Sequence, residues 1–312
     1  MAGIEFIATG RCIPEQKITN EDLSKVVDTS DEWISSRTGI KERHFCKEEK
    51  NWQLAYEAAK QAIDRAGIDK KEIGLLIVAT FTPDYATPSV SCILQKELGL
   101  ETYTMSFDVN AACSGFLYGL KIANAMLNDS KHPYALIIGS EQISSRLDMT
   151  DRNTCVLFGD GAGAVLVKKN DNNNFIAIMG AEGEIEALGC NGHTSENPYI
   201  YMDGKKVYKF AVKNMTKVAN EVLEEANITI DDIDYVVCHQ ANERIIRSVM
   251  KFLDIPESKT YINIHKYGNT SAACIPIVLD EMNCQGLLKK GMKLLLVGFG
   301  AGFTWGGVLL EL

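Results

Sequence analysis

Two apolar runs that recur about 160 residues further along the chain limit what this sequence can fold into. Ile73-Gly74-Leu75-Leu76-Ile77-Val78-Ala79 carries no polar side chain, the pattern of a strand covered on both faces. An offset of 160 lays Ala66 on Ala226, Ile68 on Ile228, Ile73 on Ile233, and Leu76 and Ile77 on Val236 and Val237. An offset of 159 lays Leu136-Ile137-Ile138-Gly139 on Leu295-Leu296-Val297-Gly298, each after a helix-like segment. Two different units repeating in one order at nearly one offset indicate an internal duplication. Each half alternates helices with buried strands, so α/β layers are expected. The polar run Asn170 to Asn174 reads as a surface turn and divides the chain into halves 1–170 and 171–312.

A chain of 312 residues, 46% hydrophobic and 23% charged, can bury one large core or two joined ones and is not extensively disordered. It has no basic start followed by an apolar signal core, and no apolar run near the roughly 18 residues of a membrane span. A soluble, cytoplasmic protein without membrane insertion is expected. The nine cysteines are odd in number and contain no Cys-x-x-Cys, so neither a zinc cluster nor a disulfide framework is signalled. A net charge of -9 argues against nucleic acid as a partner. An acidic partner would have to meet a local basic patch.

Such a patch is present. Residues 206–225 form an amphipathic helix with Tyr208, Ala211, Met215, Val218 and Val222 on one face and Lys206, Lys209, Lys213 and Lys217 on the other. The lysines sit toward its N-terminal part and Glu221, Glu224 and Glu225 toward its C-terminal end, the reverse of what the helix dipole prefers, which points to binding.

Several segments place reactive side chains at element ends. Asp108-Val109-Asn110-Ala111-Ala112-Cys113-Ser114-Gly115-Phe116 leads from a strand into a helix. The starting helix favours an anion there, so the Cys113 thiol is expected to have a lowered pKa. Taken alone, Cys113 also fits a small buried hydrophobe. Tyr235-Val236-Val237-Cys238 runs into His239, at a strand's carboxyl end, where α/β sheets bind ligands. Asn269 or Thr270 precedes a helix-like run and suits an N-cap, as Thr19 or Asn20 does near the start. Trp33 and Arg37 lie four apart, so the cation can stack with the indole on a nucleotide base or simply cover it. Gly161-x-Gly163 precedes a strand, which excludes a dinucleotide fingerprint and indicates tight backbone packing. Glu182 to Tyr201 reads as an irregular loop over a pocket, and the closing Gly298-to-Gly307 stretch lets backbone amides approach a ligand.

Asn-Ala-Ala-Cys113-Ser-Gly-Phe, His239-Gln-Ala-Asn, Gly-Asn269-Thr-Ser-Ala-Ala and Gly-Phe-Gly-Ala-Gly-Phe-Thr-Trp-Gly together resemble the condensing enzymes of the thiolase superfamily. Within it they are most similar to the β-ketoacyl-[acyl carrier protein] synthase III family, which starts type II fatty acid synthesis. The likeness runs from Gly10 through Thr29-Ser-Asp-Glu-Trp33-Ile and Arg37-Thr-Gly-Ile to the C-terminus. It implies a five-layered αβαβα thiolase-like fold of two duplicated halves, the first carrying the cysteine and the second the histidine and asparagine. It also implies a homodimer with no cofactor and no metal.

The resemblance implies a decarboxylative Claisen condensation. Cys113 attacks an acyl-CoA thioester, CoA leaves, and malonyl-acyl carrier protein then loses carbon dioxide to give the carbanion that takes the acyl group. The Cys113 and Ala301 amides match the oxyanion hole, and His239 and Asn269 match the donors to the thioester oxygen of the malonyl substrate. Trp33 and Arg152 match the residues that sandwich the adenine of CoA, with Arg37 and Asn242 nearby. Phe299 matches an aromatic beside the cysteine, and Lys209, Lys213 and Arg244 lie where the acidic carrier protein docks. Thr87 stands where some relatives place a bulky aromatic that shortens the acyl pocket, which leaves room for primers beyond acetyl. Phe252 follows Lys251 where some relatives have a second lysine. Alternative readings are a synthase-III-like enzyme of secondary metabolism, a non-catalytic acyl- or carrier-binding relative, and a cysteine hydrolase, whose flanking sequences this chain does not match.

Overall fold

The computed structural model describes residues 3–171, 175–192 and 195–312. Strands β1 (Gly3–Cys12), β2 (Ile73–Ala79), β3 (Met105–Val109), β4 (Tyr134–Glu141) and β5 (Gly161–Asn170) make one sheet in the order β1-β5-β4-β2-β3. Strands β6 (Phe175–Glu184), β7 (Tyr235–Cys238), β8 (Lys293–Gly300) and β9 (Gly302–Glu311) make a second, in the order β7-β8-β9-β6. The central pairs β2–β4 and β7–β8 are parallel, and β4–β5 and β8–β9 are antiparallel. The second sheet thus repeats the first without its β3 edge, where only a parallel bridge between Val236 and Thr260 stands. The expected boundary falls between β5 and β6, and Asn172 to Asn174 of that polar run lie outside the described residues.

Among the helices that accompany the sheets are α1 (Asp31–Thr38), α2 (Asn51–Ala66), α3 (Gly115–Leu127), α4 (Gly204–Ala226), α5 (Glu243–Phe252) and α6 (Cys274–Cys284), with Val90–Glu97 beside α2. The order of layers follows from strand alternation. Leu76 and Val78 of β2 and Leu136 and Ile138 of β4 point to the core under α2. Their neighbours Leu75, Ile77, Ala135 and Ile137 share a central core with α3, α6 and residues Leu294, Leu296 and Val308 of the other sheet. Leu295 and Val297 of β8 face a third core under α4 and α5. The result is helix, sheet, helix pair, sheet, helix, the five-layered α/β fold that the resemblance implied. Fully burying each such aliphatic side chain stabilises the fold by about 1.5–3 kcal/mol, so a strand that feeds two cores contributes twice per dipeptide.

Polar contacts lock the halves together. Asp280 of α6 is fully buried and receives Arg11 of β1 at 2.6 Å and Arg65 of α2. Gly163 of β5 packs on the same helix, and a Cβ there would stand 2.6 Å from the Ile277 amide nitrogen and 2.7 Å from the Pro276 carbonyl carbon. That is the tight backbone packing read from the sequence. Thr19 caps the short helix Asn20–Leu23 in a reciprocal box with Asp22. Helix α4 starts earlier than expected because the Asp203 side chain accepts the Lys205 and Lys206 amides. Its buried stripe is Val207, Ala211, Met215, Val218 and Val222. Tyr208 is therefore corrected to an exposed position, where its hydroxyl reaches Ser248 of α5 at 2.7 Å.

Gly163→Ala should lower stability by about 1–3 kcal/mol, because its methyl meets backbone that cannot rotate away. Gly183→Ala, with nothing within 4 Å of its Cβ, should shift the midpoint of urea unfolding far less. Equal shifts would contradict the helix-on-sheet contact described.

Candidate active site

The duplicated topology brings two turns that each lead into a central helix face to face. Ala112–Ser114 leads into α3 and Ser271–Ala273 leads into α6, and the residues that begin them, Ala112 (φ 47°) and Ser271 (φ 52°), are both left-handed. They are 159 apart in sequence, the offset of the second echo. By the same offset Ala272 is the counterpart of Cys113, and Gly300 that of Glu141. One turn therefore bears a thiol and the other does not.

A cavity of about 1170 Å³ opens at this junction. Cys113, His239, Asn269, Phe299 and Ala301 all line it, joined nearer the mouth by Trp33, Arg37, Asn242, Lys205 and Tyr208. Glu184, Leu188, Cys190, Ile200 and Tyr201 also line it, from the segment read as an irregular loop. That segment contains a two-stranded ribbon, Leu188–Cys190 against Ile200–Met202, with His193 and Thr194 outside the described residues.

Cys113 stands at the expected turn, but its thiol is not acidic. Burial pushes it up to about 12, while a side-chain hydrogen bond with Ser271 pulls the other way and Cys274 and Glu141 add to the rise. The thiol is accessible from the cavity, yet surrounding protein desolvates it enough to outweigh the helix terminus. Gly300 approaches this residue closely: a Cβ there would stand 2.7 Å from the Cys113 amide nitrogen. Thr304 ties the Cys113 turn to the hairpin between β8 and β9 by donating to the carbonyls of Ala111 at 2.9 Å and Ala301 at 3.3 Å.

His239 follows β7, and its amide donates to Val297 of β8 at 2.8 Å. Its side chain is buried, and among the described residues neither ring nitrogen has a hydrogen-bond partner. Burial pushes its pKa down to about 3, so the imidazole is neutral. A buried ring with two unpaired nitrogens facing a cavity calls for a ligand. Phe299 fixes its plane edge-on at 5.5 Å between centroids, backed by Phe210, which stacks on Phe303 at 3.9 Å.

Asn269 is oriented from behind. Its Oδ1 accepts the Ser271 amide at 2.9 Å and the Cys274 thiol at 3.6 Å, which turns the Nδ2 donor away from those contacts. The N-cap expected of Asn269 or Thr270 is not made, since neither side chain caps the helix that follows; the Asn269 oxygen closes an Asx turn instead and leaves the amide donor for another role.

At the mouth, the guanidinium carbons of Arg37 and Arg152 lie 5.1 Å and 4.8 Å from the Trp33 ring centroid. Arg152 itself is held by the Asp28 carbonyl at 2.9 Å and does not line the cavity. Asn242 spends its side chain on structure, accepting the Arg244 amide as the cap of α5 and donating to the Arg37 carbonyl. Lys209, Lys213 and Arg244 are exposed, and among the described residues no ion pair involves them.

Thr87, like Arg152, stands apart from the cavity lining. It is exposed and does not line the cavity of its own chain. The reason lies at the sheet edge: Asp108 of β3 accepts the Val90 and Ser91 amides at 2.7 Å and 2.9 Å, which holds the start of the helix Val90–Glu97 against that edge. Sequence reasoning missed Glu141, Ser271, Cys274 and Gly300. The duplication offset was the available signal, since it sets Ser271 on Ala112 and Gly300 on Glu141.

Among the described residues no cluster of His, Cys, Asp and Glu suits a metal, and no helix is long and apolar enough to cross a membrane. The family model for 3-oxoacyl-[acyl-carrier-protein] synthase III matches residues 107–183, and that for its C-terminal part matches 223–312. A β-ketoacyl-[acyl-carrier-protein] synthase III of Clostridium acetobutylicum is 47% identical over 323 residues, covering 100% of this chain and 99% of the relative. The chain belongs to the synthase III family. A synthase III of Neisseria meningitidis is also 47% identical, covering 97% of both chains. The crystal structure of the synthase III from Aquifex aeolicus superposes with a TM-score of 0.95 at 45% identity, covering 99% of this chain and 100% of that one. The thiolase-like fold is thereby shared over the full length of the synthase III relatives.

With burial holding the folded-state pKa near 3, the His239 imidazole signals in a nitrogen-15 NMR titration should not move from about pH 5 to pH 9. A midpoint near the ordinary histidine value would show that water or a partner solvates the ring.

Proposed function

We propose that the protein condenses an acyl-CoA primer with malonyl-acyl carrier protein, giving a β-ketoacyl-acyl carrier protein, CoA and carbon dioxide, as the step that initiates type II fatty acid synthesis. The observation that carries this reading is a neutral His239 with both ring nitrogens unpaired, in one cavity with Cys113 and an Asn269 held from behind. That arrangement lacks the thiolate–imidazolium pair of a cysteine hydrolase, and it supplies neutral donors to a developing enolate oxygen. Whole-chain identity of 47% to enzymes named for β-ketoacyl synthesis favours primary over secondary metabolism.

The roles divide by geometry. Cys113 takes the acyl group, with the carbonyl oxygen at the Cys113 and Ala301 amides. His239 and Asn269 hold the malonyl thioester oxygen while carbon dioxide leaves. Neutral donors suit this step, because a protonated imidazole would cost several kcal/mol to keep in so dry a place. Phe299 walls the acyl side. Trp33, Arg37 and Arg152 receive the adenine and phosphates, for which Arg152 must swing off the indole, while Asn242 shapes that mouth.

Lys209, Lys213 and Arg244 form the docking face for the acidic carrier protein, with exposed Phe252 as an apolar contact on α5. A homodimer fits the β3 edge, where Tyr85, Tyr103 and Met105 are exposed, and Thr87 belongs to that edge. Thr87 then bears on primer length only across the dimer. Nine free cysteines support a reducing, cytoplasmic location. The division at 170/171 is proposed as the boundary of the duplicated halves.

Mass spectrometry after incubation with acetyl-, isobutyryl- and hexanoyl-CoA should show an acyl adduct on Cys113 that disappears when malonyl-acyl carrier protein is added and a β-ketoacyl product forms. An unmodified Cys113 with every primer would defeat the mechanism, and exclusive use of acetyl would defeat the argument from Thr87. His239→Ala and Asn269→Asp should still be acylated but lose decarboxylation by about 100-fold or more. Reversing the charge of Lys209, Lys213 and Arg244 together should raise KM for the carrier substrate by about tenfold at low salt, less at high salt, and leave acylation by CoA thioesters alone.

A further inference from the structure

The proposed mechanism leaves unused a buried cation whose hydrogen bonds run toward both ends of the cavity. Arg43 lies on the short strand Glu42–Phe45 and is fully buried. Among the described residues it forms no ion pair, and its Nε has no hydrogen-bond partner. An arginine is rarely buried this completely without a carboxylate, because the guanidinium keeps its charge and must be solvated. Oxygen dipoles from separate segments do so here. Nη1 donates to the Asn20 side-chain oxygen at 2.8 Å and to the Ile18 carbonyl at 3.3 Å, and Nη2 donates to the Val156 carbonyl at 2.7 Å.

One arm leads to the mouth. Asn20 is itself buried, and the amide that takes Arg43 on its oxygen spends its nitrogen on α1. Nδ2 donates to Asp31 Oδ1 at 2.7 Å, at the start of that helix, and to the Ile40 carbonyl at 2.8 Å, just past its end. Helix α1 carries Trp33 and Arg37. The other arm leads to Asn269. Val156 begins a segment that meets Asn269 in a parallel bridge: the Asn269 amide donates to the Leu157 carbonyl at 2.8 Å, and the Gly159 amide donates to the Asn269 carbonyl at 3.0 Å. The Arg43 stem underlies this bridge, since a Cβ on Gly159 would stand 3.1 Å from Arg43 Cβ and one on Gly268 3.3 Å from it.

We propose that Arg43 is a positioning residue whose planar fork holds α1 and the Asn269 backbone in one frame, and so sets the span from the nucleotide end of a CoA thioester to the donor at the reacting thioester. The proposal rests on the proposed function, which takes α1 as the nucleotide site and Asn269 as the donor for decarboxylation. A lysine cannot replace the fork, because it offers a single nitrogen where the guanidinium aims two at different segments. Cys113 and its amide belong to another turn, so their attack on a thioester does not depend on Arg43.

The experiment compares acetyl-CoA with S-acetyl-N-acetylcysteamine, a truncated thioester without the nucleotide. Cys113 acylation is followed by mass spectrometry, and carbon dioxide release from malonyl-acyl carrier protein is followed on the acylated enzyme. Wild type should prefer acetyl-CoA. Arg43→Lys should lower that preference about tenfold, through KM for acetyl-CoA, and slow carbon dioxide release about tenfold or more, because small misplacements of a reacting group are costly. Its acylation by the truncated thioester should stay within about twofold of wild type. Asp31→Ala cuts only the α1 arm and should lower the preference about threefold without slowing carbon dioxide release. Asp31→Asn, which keeps the acceptor oxygen, should retain the preference. Structural damage alone would lower every rate in proportion, so equal losses in Arg43→Lys would overturn the proposal, as would a wild type without preference. Should Arg43→Lys not fold, the Asp31 pair carries the test, and an unchanged preference in Asp31→Ala would overturn it. Acylation of wild type with unaltered ratios in the variants would overturn the role of Arg43 alone. No acylation of wild type by either thioester would refute the proposed function, and this proposal with it.

Discussion

Everything in this structure depends on burying two helices side by side between two sheets. Apart from Lys121 and Ala125 on α3 and the last turn of α6, these helices are covered by protein, and the residues packed against them come from both halves of the chain. Their N-terminal turns are forced together, and the strained backbone at Ala112 and Ser271 is the local consequence. Strain of this kind costs on the order of 1–3 kcal/mol per residue and persists only where the surroundings over-determine it. Here the surroundings are the two sheets, the Asp280 ion pairs that anchor α6, and the close backbone approaches at Gly163 and Gly300.

That burial also explains the chemistry of the cavity. Taking the Cys113 thiol, the His239 imidazole and the Glu141 carboxyl out of water moves all three toward their neutral forms: the thiol up to about 12, the imidazole down to about 3 and the carboxyl up to about 8. A site with little resting charge spends little on desolvation and keeps its full donor strength for charge that appears during reaction. Fixed charge is placed elsewhere, at the mouth with Arg37 and Arg152 and on the outer face of α4 with Lys209 and Lys213. An acidic protein with net charge -9 can then meet anionic partners through a local basic surface while avoiding broad attraction to polyanions.

The alternation of the fold was legible in sequence because β2, β4 and β8 are covered on both faces and their apolar runs are unbroken. The turns of Cys113 and His239 were legible because each lies at a junction between a strand-like and a helix-like pattern, and that of Asn269 because it precedes a helix-like run. Other readings failed for identifiable reasons. Tyr208 was assigned to the buried stripe of α4, yet Val207 fits that stripe at the same spacing and the tyrosine hydroxyl has a partner on α5. A lowered Cys113 pKa was expected from the helix terminus, which sequence shows, whereas the desolvation that outweighs it comes from residues distant in sequence. Thr87, expected at the acyl pocket, lies outside the cavity of its own chain, because the segment before Val90 is held at the β3 edge by Asp108.

By itself, then, the sequence determined the duplicated α/β layering and the element ends that carry the thiol, imidazole and amide, because periodicity and turn residues are local properties. Only the tertiary structure decided what those groups are chemically. It alone brings the Ser271 hydroxyl onto Glu141, leaves both His239 nitrogens unpaired, and turns the Asn269 amide by its oxygen. Protonation and hydrogen-bond direction depend on solvent exclusion and on neighbours more than a hundred residues away, and no local pattern encodes either.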